Sequence, residues 1–111
     1  MSDGADGGDF RLELRGHVAV LTLDRVAKRN ALTPATLSQL ERLADEMRLM
    51  EDVRAVVIRA EGPDFSVGAD LNSMGATLQT TAQLRRTALQ GGRLMRALQG
   101  IDQPTICAVQ G

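Results

Sequence analysis

The sequence predicts an α/β fold, with strands and helices alternating along the chain. Short segments rich in apolar or β-branched residues occur at 10–15, 18–23, 53–60 and 105–109. Two longer segments, with apolar residues at helical spacing, separate the last three of these. The expected order is therefore strand, strand, helix, strand, helix, strand, in which helical crossovers connect the later strands.

The composition fits one globular unit and excludes several classes of protein. The chain has 111 residues, 43% of them hydrophobic, which is enough for a core. Its formal net charge of −1 and its lack of Tyr and Trp argue against nucleic acid as a partner. No apolar run approaches the roughly 18 residues that a membrane span requires. A single cysteine, Cys107, excludes an internal disulfide and a cysteine zinc cluster, and no metal site is predicted.

The first nine residues differ in composition from the rest. Residues 1–9 are rich in Gly and Asp, so we expect a disordered tail before a folded unit at 10–111. They contain neither the basic segment nor the apolar segment of a secretory signal, so a cytoplasmic location is expected.

The folded unit should begin with a β-hairpin followed by a helix. Apolar and charged residues alternate in the first segment, and Gly16 with His17 supplies a turn before the second. Thr33 and Pro34 then predict a helix N-terminus, with Thr as the cap and Pro in the first turn. The apolar stripe of that helix comprises Leu37, Leu40, Leu43, Ala44, Met47 and Met50.

The second half is less regular. Residues 82–99 predict a helix, although two adjacent glycines should weaken it by roughly 1 kcal/mol each relative to alanine. Its expected apolar side comprises Leu84, Ala88, Met95 and Leu98. Residues 72–80 show no clear period and receive no assignment. After Pro104, the last segment is expected to be a buried strand, with Cys107 as a small core residue.

Residues 62–71 form the segment most suggestive of a ligand site. They follow a predicted strand, contain glycines and a proline, and lead towards a short helical turn near Asp70. Backbone N–H groups near 68–71 would then point outward, where a negatively charged ligand oxygen is their natural partner. The alternative is a plain glycine-rich connection with no ligand.

A basic loop at 24–30 is the second candidate. It carries Arg25, Lys28 and Arg29 at the carboxyl end of a predicted strand, where α/β proteins usually bind ligands. Such cations are suited to phosphate groups. The alternative is a solvated cluster of surface charges.

Three segments, in this order, resemble the enoyl-CoA hydratase/isomerase family, also called crotonases. They are 23–32 (LDRVAKRNAL), 65–71 (FSVGADL) and 103–111 (QPTICAVQG). The resemblance covers about residues 10–111. It implies the N-terminal portion of a crotonase (ClpP-like) fold built from repeated ββα units, and less than half of a typical family member.

The resemblance also implies a chemistry. In this family two backbone N–H groups form an oxyanion hole for an acyl-CoA thioester, and the first corresponds to Ala69. The second donor and the acid/base glutamates would lie beyond Gly111, so residues 1–111 alone are expected to be inactive. The positions implied to bind CoA or substrate are Arg25, Lys28, Ala31, Ser66, Gly68, Ala69, Asp70, Leu71 and Asn72. Coenzyme A enters as part of the substrate, and no other cofactor is implied.

The function that the resemblance implies is hydration of trans-2-enoyl-CoA in fatty-acid breakdown, by a homo-oligomer such as a trimer or hexamer. Two alternatives stay open. One is another chemistry of the family, namely double-bond isomerisation or thioester hydrolysis. The other is a non-catalytic truncated fragment or subunit. The length of the acyl chain is not readable from these residues.

Overall fold

The computed structural model describes residues 8–70 and 80–111, and its elements follow the predicted order. The strands form one sheet, in the order β1-β2-β3-β4. They are β1 (Phe10–Arg15), β2 (Val18–Leu23), β3 (Ala55–Ala60) and β4 (Thr105–Cys107). The α-helices of the described part are α1 (Pro34–Arg48) and α2 (Thr81–Gln99). The predicted α/β class is confirmed.

The sheet combines an antiparallel hairpin with parallel crossovers. β1 and β2 pair antiparallel, with Arg15 opposite Val18, and Gly16 makes the turn between them in the left-handed region at φ 59°. β2 pairs parallel with β3, and β3 pairs parallel with β4. Because parallel strands share one direction, the loops after β2 and β3 both start at the carboxyl ends of the strands, on the same side of the sheet.

The core lies between the sheet and the helices, as the apolar patterns predict. Thr33 caps α1 by accepting a hydrogen bond from the Thr36 N–H at 3.1 Å, and Pro34 occupies its first turn. Met50 of the predicted stripe is partly buried, and the other five residues are buried. They join a core cluster with strand residues that include Leu21, Leu23, Val56 and Ile58.

The prediction for the buried side of α2 is wrong for Leu84, Ala88 and Met95, whereas Leu98 is partly buried against the core as predicted. Leu84 is 55% exposed, and Leu94, which was not assigned to that side, is the buried residue of this helix. α2 packs against α1 through the Leu94 side, where the Gln90 side-chain amide donates to the Pro34 carbonyl at 2.8 Å. Several faces of α2 carry apolar residues, so contact with α1 rather than composition selects the buried one.

The prediction that the last strand is buried is also wrong in this structure. β4 ends at Cys107, Ile106 is 57% exposed, and Cys107 is exposed as well. Among the described strands, β4 is the last of the sheet and pairs with β3 alone, so its side chains are less covered than those of β2.

Some predictions fall outside the described residues. They are most of the tail at 1–9, all but the last residue of the unassigned stretch 72–80, and the short turn after Asp70. Asp9, the last residue of the expected tail, accepts hydrogen bonds from the Asp24 N–H and the Thr36 hydroxyl. Within the ranges that are described, neither helix combines the length and apolarity needed to cross a membrane.

Candidate functional site

An isolated parallel bridge joins the loops that follow β2 and β3. Leu32 lies opposite Ala69. The Leu32 N–H donates to the Gly68 carbonyl, and the Leu32 carbonyl accepts from the Asp70 N–H, both at 2.8 Å. Because peptide groups on an extended chain alternate in direction, the N–H of Ala69 itself points away from Leu32. The bridge therefore brings the two candidate segments together and presents one amide outward.

The amide of Ala69 has no internal hydrogen-bond partner in the described part of the chain. Ala69 is exposed, and no residue of 8–70 or 80–111 accepts a hydrogen bond from its N–H. Gly68, immediately before it, has φ 89°, a backbone conformation that side chains other than glycine rarely adopt. An N–H group held in this way can donate to a carbonyl oxygen that gains negative charge.

Arg25 and Asp70 form an ion pair beside that amide. The Arg25 Nη1 lies 2.7 Å from Asp70 Oδ2, and Asp70 is only 7% exposed. The same Nη1 donates to the carbonyl of Ala31 at 3.1 Å. Arg25 therefore ties the loop after β2 to the residue that follows Ala69, and much of its charge is neutralised within the protein.

Asn30 is not among the predicted site residues, yet its buried side chain connects the loop after β2 to the loop after β3. It is buried, with 2% of its surface exposed, and adopts a left-handed backbone at φ 57°. Its Oδ1 accepts from the Arg25 N–H at 2.7 Å, and its Nδ2 donates to the carbonyls of Glu61 and Asp64, each at 2.9 Å. The signal in the sequence was weak: Asn tolerates left-handed backbone better than most residues.

Ser66 continues this network towards Ala69. Its hydroxyl donates to the carbonyl of Asn30 at 2.7 Å and accepts from the Gly68 N–H at 3.0 Å. Ser66 was predicted to contact the substrate, and its hydroxyl here holds the loop itself. The side chain of Ser66 thereby places Gly68 relative to the loop after β2.

Lys28 and Arg29 end a short 3-10 turn at Val26–Lys28. Arg29 Nε lies 3.0 Å from Asp64 Oδ2, and this hydrogen bond lowers the pKa of the Asp64 carboxyl below its ordinary value. Lys28 is exposed and forms no ion pair with any described residue. Of the three cations in this loop, Lys28 therefore presents its charge to solvent most freely.

The structure thus brings most of the predicted positions together at the carboxyl ends of β2 and β3. Arg25, Ala31, Ser66, Gly68, Ala69 and Asp70 are linked by the bridge and the hydrogen bonds described above. Leu71 and Asn72 lie outside the described residues. Among described residues, no group of three or more His, Cys, Asp or Glu side chains is arranged to hold a metal ion.

The known proteins that this chain resembles point to one family. The sequence profile of the family described as enoyl-CoA hydratase/isomerase matches residues 13–111. The enoyl-CoA hydratase AFT3-1 of Alternaria alternata is 35% identical over 94 residues, which cover 85% of this chain and 31% of that protein. The short-chain-enoyl-CoA hydratase of Clostridium acetobutylicum is 33% identical over 101 residues, covering 90% of this chain and 38% of that protein.

A solved structure shows the same fold. The enoyl-CoA hydratase from Shewanella pealeana superposes with a TM-score of 0.86 at 33% identity, covering 93% of this chain and 39% of that chain. The chain therefore spans 31% to 39% of the length of these three proteins. The profile match, the identities and the superposition together show that the chain belongs to the enoyl-CoA hydratase/isomerase family and has the fold of the corresponding part of a crotonase.

Proposed function

We propose that this chain binds an acyl-CoA thioester, and that the protein it represents is a hydratase acting on trans-2-enoyl-CoA. The observation that carries the proposal is the N–H of Ala69: the residue is exposed, and its N–H is turned away from Leu32 and unbonded among the described residues. The names of the relatives, enoyl-CoA hydratases, supply the reaction class.

The chemistry follows from where charge develops. When a nucleophile adds to the β-carbon of an enoyl thioester, electron density moves onto the thioester oxygen. A hydrogen bond from the Ala69 N–H to that oxygen would stabilise the resulting enolate, which then takes a proton at the α-carbon. A general base and a general acid complete hydration. The family resemblance assigns neither role to a carboxylate within residues 1–111, and the roles we propose for these residues are binding and polarisation.

Lys28 is the group we assign to the CoA phosphates. Arg25 is paired with Asp70 and Arg29 with Asp64, whereas Lys28 faces solvent without such a partner among the described residues. A solvent-facing ammonium group can pair with a phosphate without first breaking an internal ion pair. CoA would arrive as part of the substrate, and we propose no further cofactor.

A titration tests this assignment directly. The 15N-labelled chain is titrated with crotonyl-CoA and, separately, with free CoA, while the amide signals are followed by NMR. We expect the Ala69 signal to move with crotonyl-CoA alone, because free CoA lacks the carbonyl, and Lys28 to respond to both. Lys28→Gln, the matched control, should weaken both ligands by a similar factor. Absence of any response at Ala69, or an equal response to both ligands, would contradict the proposal.

A second candidate is a polypeptide that binds acyl-CoA without turning it over. It is favoured by one observation, namely that the resemblance assigns an acid or base role to none of the carboxylates within residues 1–111. Acid–base groups usually contribute roughly 10²–10⁴-fold to the rate, so we expect residues 1–111 alone not to hydrate crotonyl-CoA at a useful rate. An assay of crotonyl-CoA absorbance decides it: turnover near that of an ordinary hydratase would overturn this expectation.

A further inference from the structure

The loop at 60–65 is held on one side by the side-chain amide of Asn30. Both protons of its Nδ2 are used, on the carbonyls of Glu61 and Asp64. Its Oδ1 accepts from the N–H of Arg25. Each polar atom of this buried side chain is therefore bonded to main chain, which is the arrangement that holds loops in one conformation.

A second amide holds the same loop from the other side. The Nε2 of Gln110 donates to the carbonyls of Ala60 at 2.9 Å and Gly62 at 3.0 Å. The main-chain carbonyl of Gln110 accepts from the Phe65 N–H at 3.0 Å. We call Asn30 and Gln110 the amide clamp. Between them they bind four carbonyls of one short loop, two on each side.

Asn30, one of the two residues of the amide clamp, is linked indirectly to the Ala69 amide in two ways. The first is a hydrogen-bond relay, from the Asn30 carbonyl through the Ser66 hydroxyl to the Gly68 N–H. The second is the chain itself, since Leu32 lies two residues after Asn30 and forms the bridge opposite Ala69. Both routes end on the residues that flank the Ala69 N–H. A shift of Asn30 would therefore change the direction of that N–H.

We propose that Asn30 is a positioning residue for the oxyanion donor, acting through the amide clamp and the Leu32–Ala69 bridge; the functional part of this inference rests on the proposed role of the Ala69 N–H. The residue type supports it. Glycine accepts the left-handed backbone of Asn30 but offers no side-chain hydrogen bonds. Aspartate also tolerates that backbone, but its ionised carboxylate cannot donate to the Glu61 and Asp64 carbonyls.

The first test needs no ligand. Asn30→Gly keeps the backbone conformation and removes the clamp bonds, and Asn30→Asp keeps one acceptor while removing both donors. We expect hydrogen exchange at the Leu32 and Asp70 amides, which form the bridge, to become at least tenfold faster in both variants. The matched control is Gln103→Ala, which also removes an amide that donates to two carbonyls, those of Met47 and Met50, at the other end of α1. The control should leave exchange at the bridge unchanged.

The second test measures function. The ratio of crotonyl-CoA affinity to free-CoA affinity is determined by calorimetry for the unsubstituted chain and each variant. Asn30→Gly and Asn30→Asp should lower this ratio, and Gln103→Ala should not, even where melting temperatures fall equally. Gln110→Ala removes the other side-chain amide of the clamp. It is measured in parallel, so that the test does not depend on the folding of one variant.

The two tests separate the inference from the function on which it rests. If the unsubstituted chain shows no preference for crotonyl-CoA, the proposed function fails, and the exchange measurement still decides whether Asn30 holds the bridge. Unchanged exchange at Leu32 and Asp70 in the folded Asn30 variants would overturn the positioning role. An equal fall of the affinity ratio in Gln103→Ala would overturn it too, because general destabilisation would then account for the effect.

Discussion

The guanidinium of Arg25 lies 2.7 Å from the carboxylate of Asp70, across 45 residues of sequence. This ion pair fastens the loop after β2 to the residue that follows Ala69. Because Asp70 is buried, loss of the arginine would leave its negative charge without this partner in a poorly solvated place.

Arg25→Met should therefore destabilise the fold more than loss of a surface pair does. We expect a fall of about 2–3 kcal/mol in the free energy of unfolding, less than the roughly 3–5 kcal/mol of a fully buried pair, because the Arg25 side chain is 23% exposed. The control is Arg93→Met, which breaks the exposed pair with Glu41 and should cost less than about 1 kcal/mol. Urea denaturation measures both, and equal losses would contradict the structural role of Arg25.

Ala69→Pro removes the proposed donor, whereas Ala69→Gly retains it. One hydrogen bond contributes about 0.5–1.5 kcal/mol net, so Ala69→Pro should weaken crotonyl-CoA binding by up to about tenfold. Ala69→Gly should change it little, and free CoA should bind both variants alike. In a complete enzyme of this family, the loss in kcat for Ala69→Pro should reach roughly 10²–10³-fold.

Proline also restricts the preceding residue, so the Ala69→Pro loop needs its own check. Hydrogen exchange at the Leu32 amide reports whether its bond to the Gly68 carbonyl survives. Full crotonyl-CoA affinity in Ala69→Pro with an intact bridge would show that this N–H is not the donor.

Asp64 should titrate below the ordinary range of an aspartate because Arg29 hydrogen-bonds its carboxylate and lowers its pKa. A lowered pKa in the folded state means that the pair stabilises the fold above the unfolded-state value of about 4. That contribution is lost as the pH falls through the lower folded-state pKa. Arg29→Ala should return the Asp64 pKa to its ordinary value in an NMR titration, and an unchanged titration curve would refute the pairing.

Met47 and Met95 offer a matched pair for testing the core. Met47 in α1 is fully buried, and Met95 in α2 is 52% exposed. Met47→Ala should cost about 2–5 kcal/mol of unfolding free energy through lost burial and a residual cavity. Met95→Ala should stay within about 0.5 kcal/mol, as exposed substitutions usually do. A large loss at Met95, measured by denaturation, would mean that its face of α2 is covered in solution.

The exposed apolar residues of α2, β4 and the segment after β4 predict self-association of this chain. Ile106, Val109 and Leu84 are each more than half exposed. Apolar surface next to an edge strand favours contact between copies. Sedimentation velocity should show species larger than a monomer, and Ile106→Glu should shift them towards the monomer. A monomer at high concentration that melts cooperatively would contradict this prediction.

The local elements were determined by the sequence alone. The hairpin follows from alternating residues around Gly16, and α1 follows from the cap at Thr33 and an apolar stripe at helical spacing. These features depend on residues within a few positions of one another, so their pattern is visible without the fold. The candidate segments were also recognisable, since their residue types resemble one family in order and spacing.

The tertiary structure decided which residues meet. Nothing near Arg25 in the sequence indicates Asp70 as its partner, and nothing near Asn30 indicates that it binds the Glu61 and Asp64 carbonyls. The parallel pairing of β2 with β3 brings the loops that follow them to the same edge of the sheet, and only then can these bonds form. The buried side of α2 and the exposure of β4 depend in the same way on which neighbours pack against them. Local patterns describe a segment, whereas burial and partnership are properties of the surfaces that the fold brings into contact.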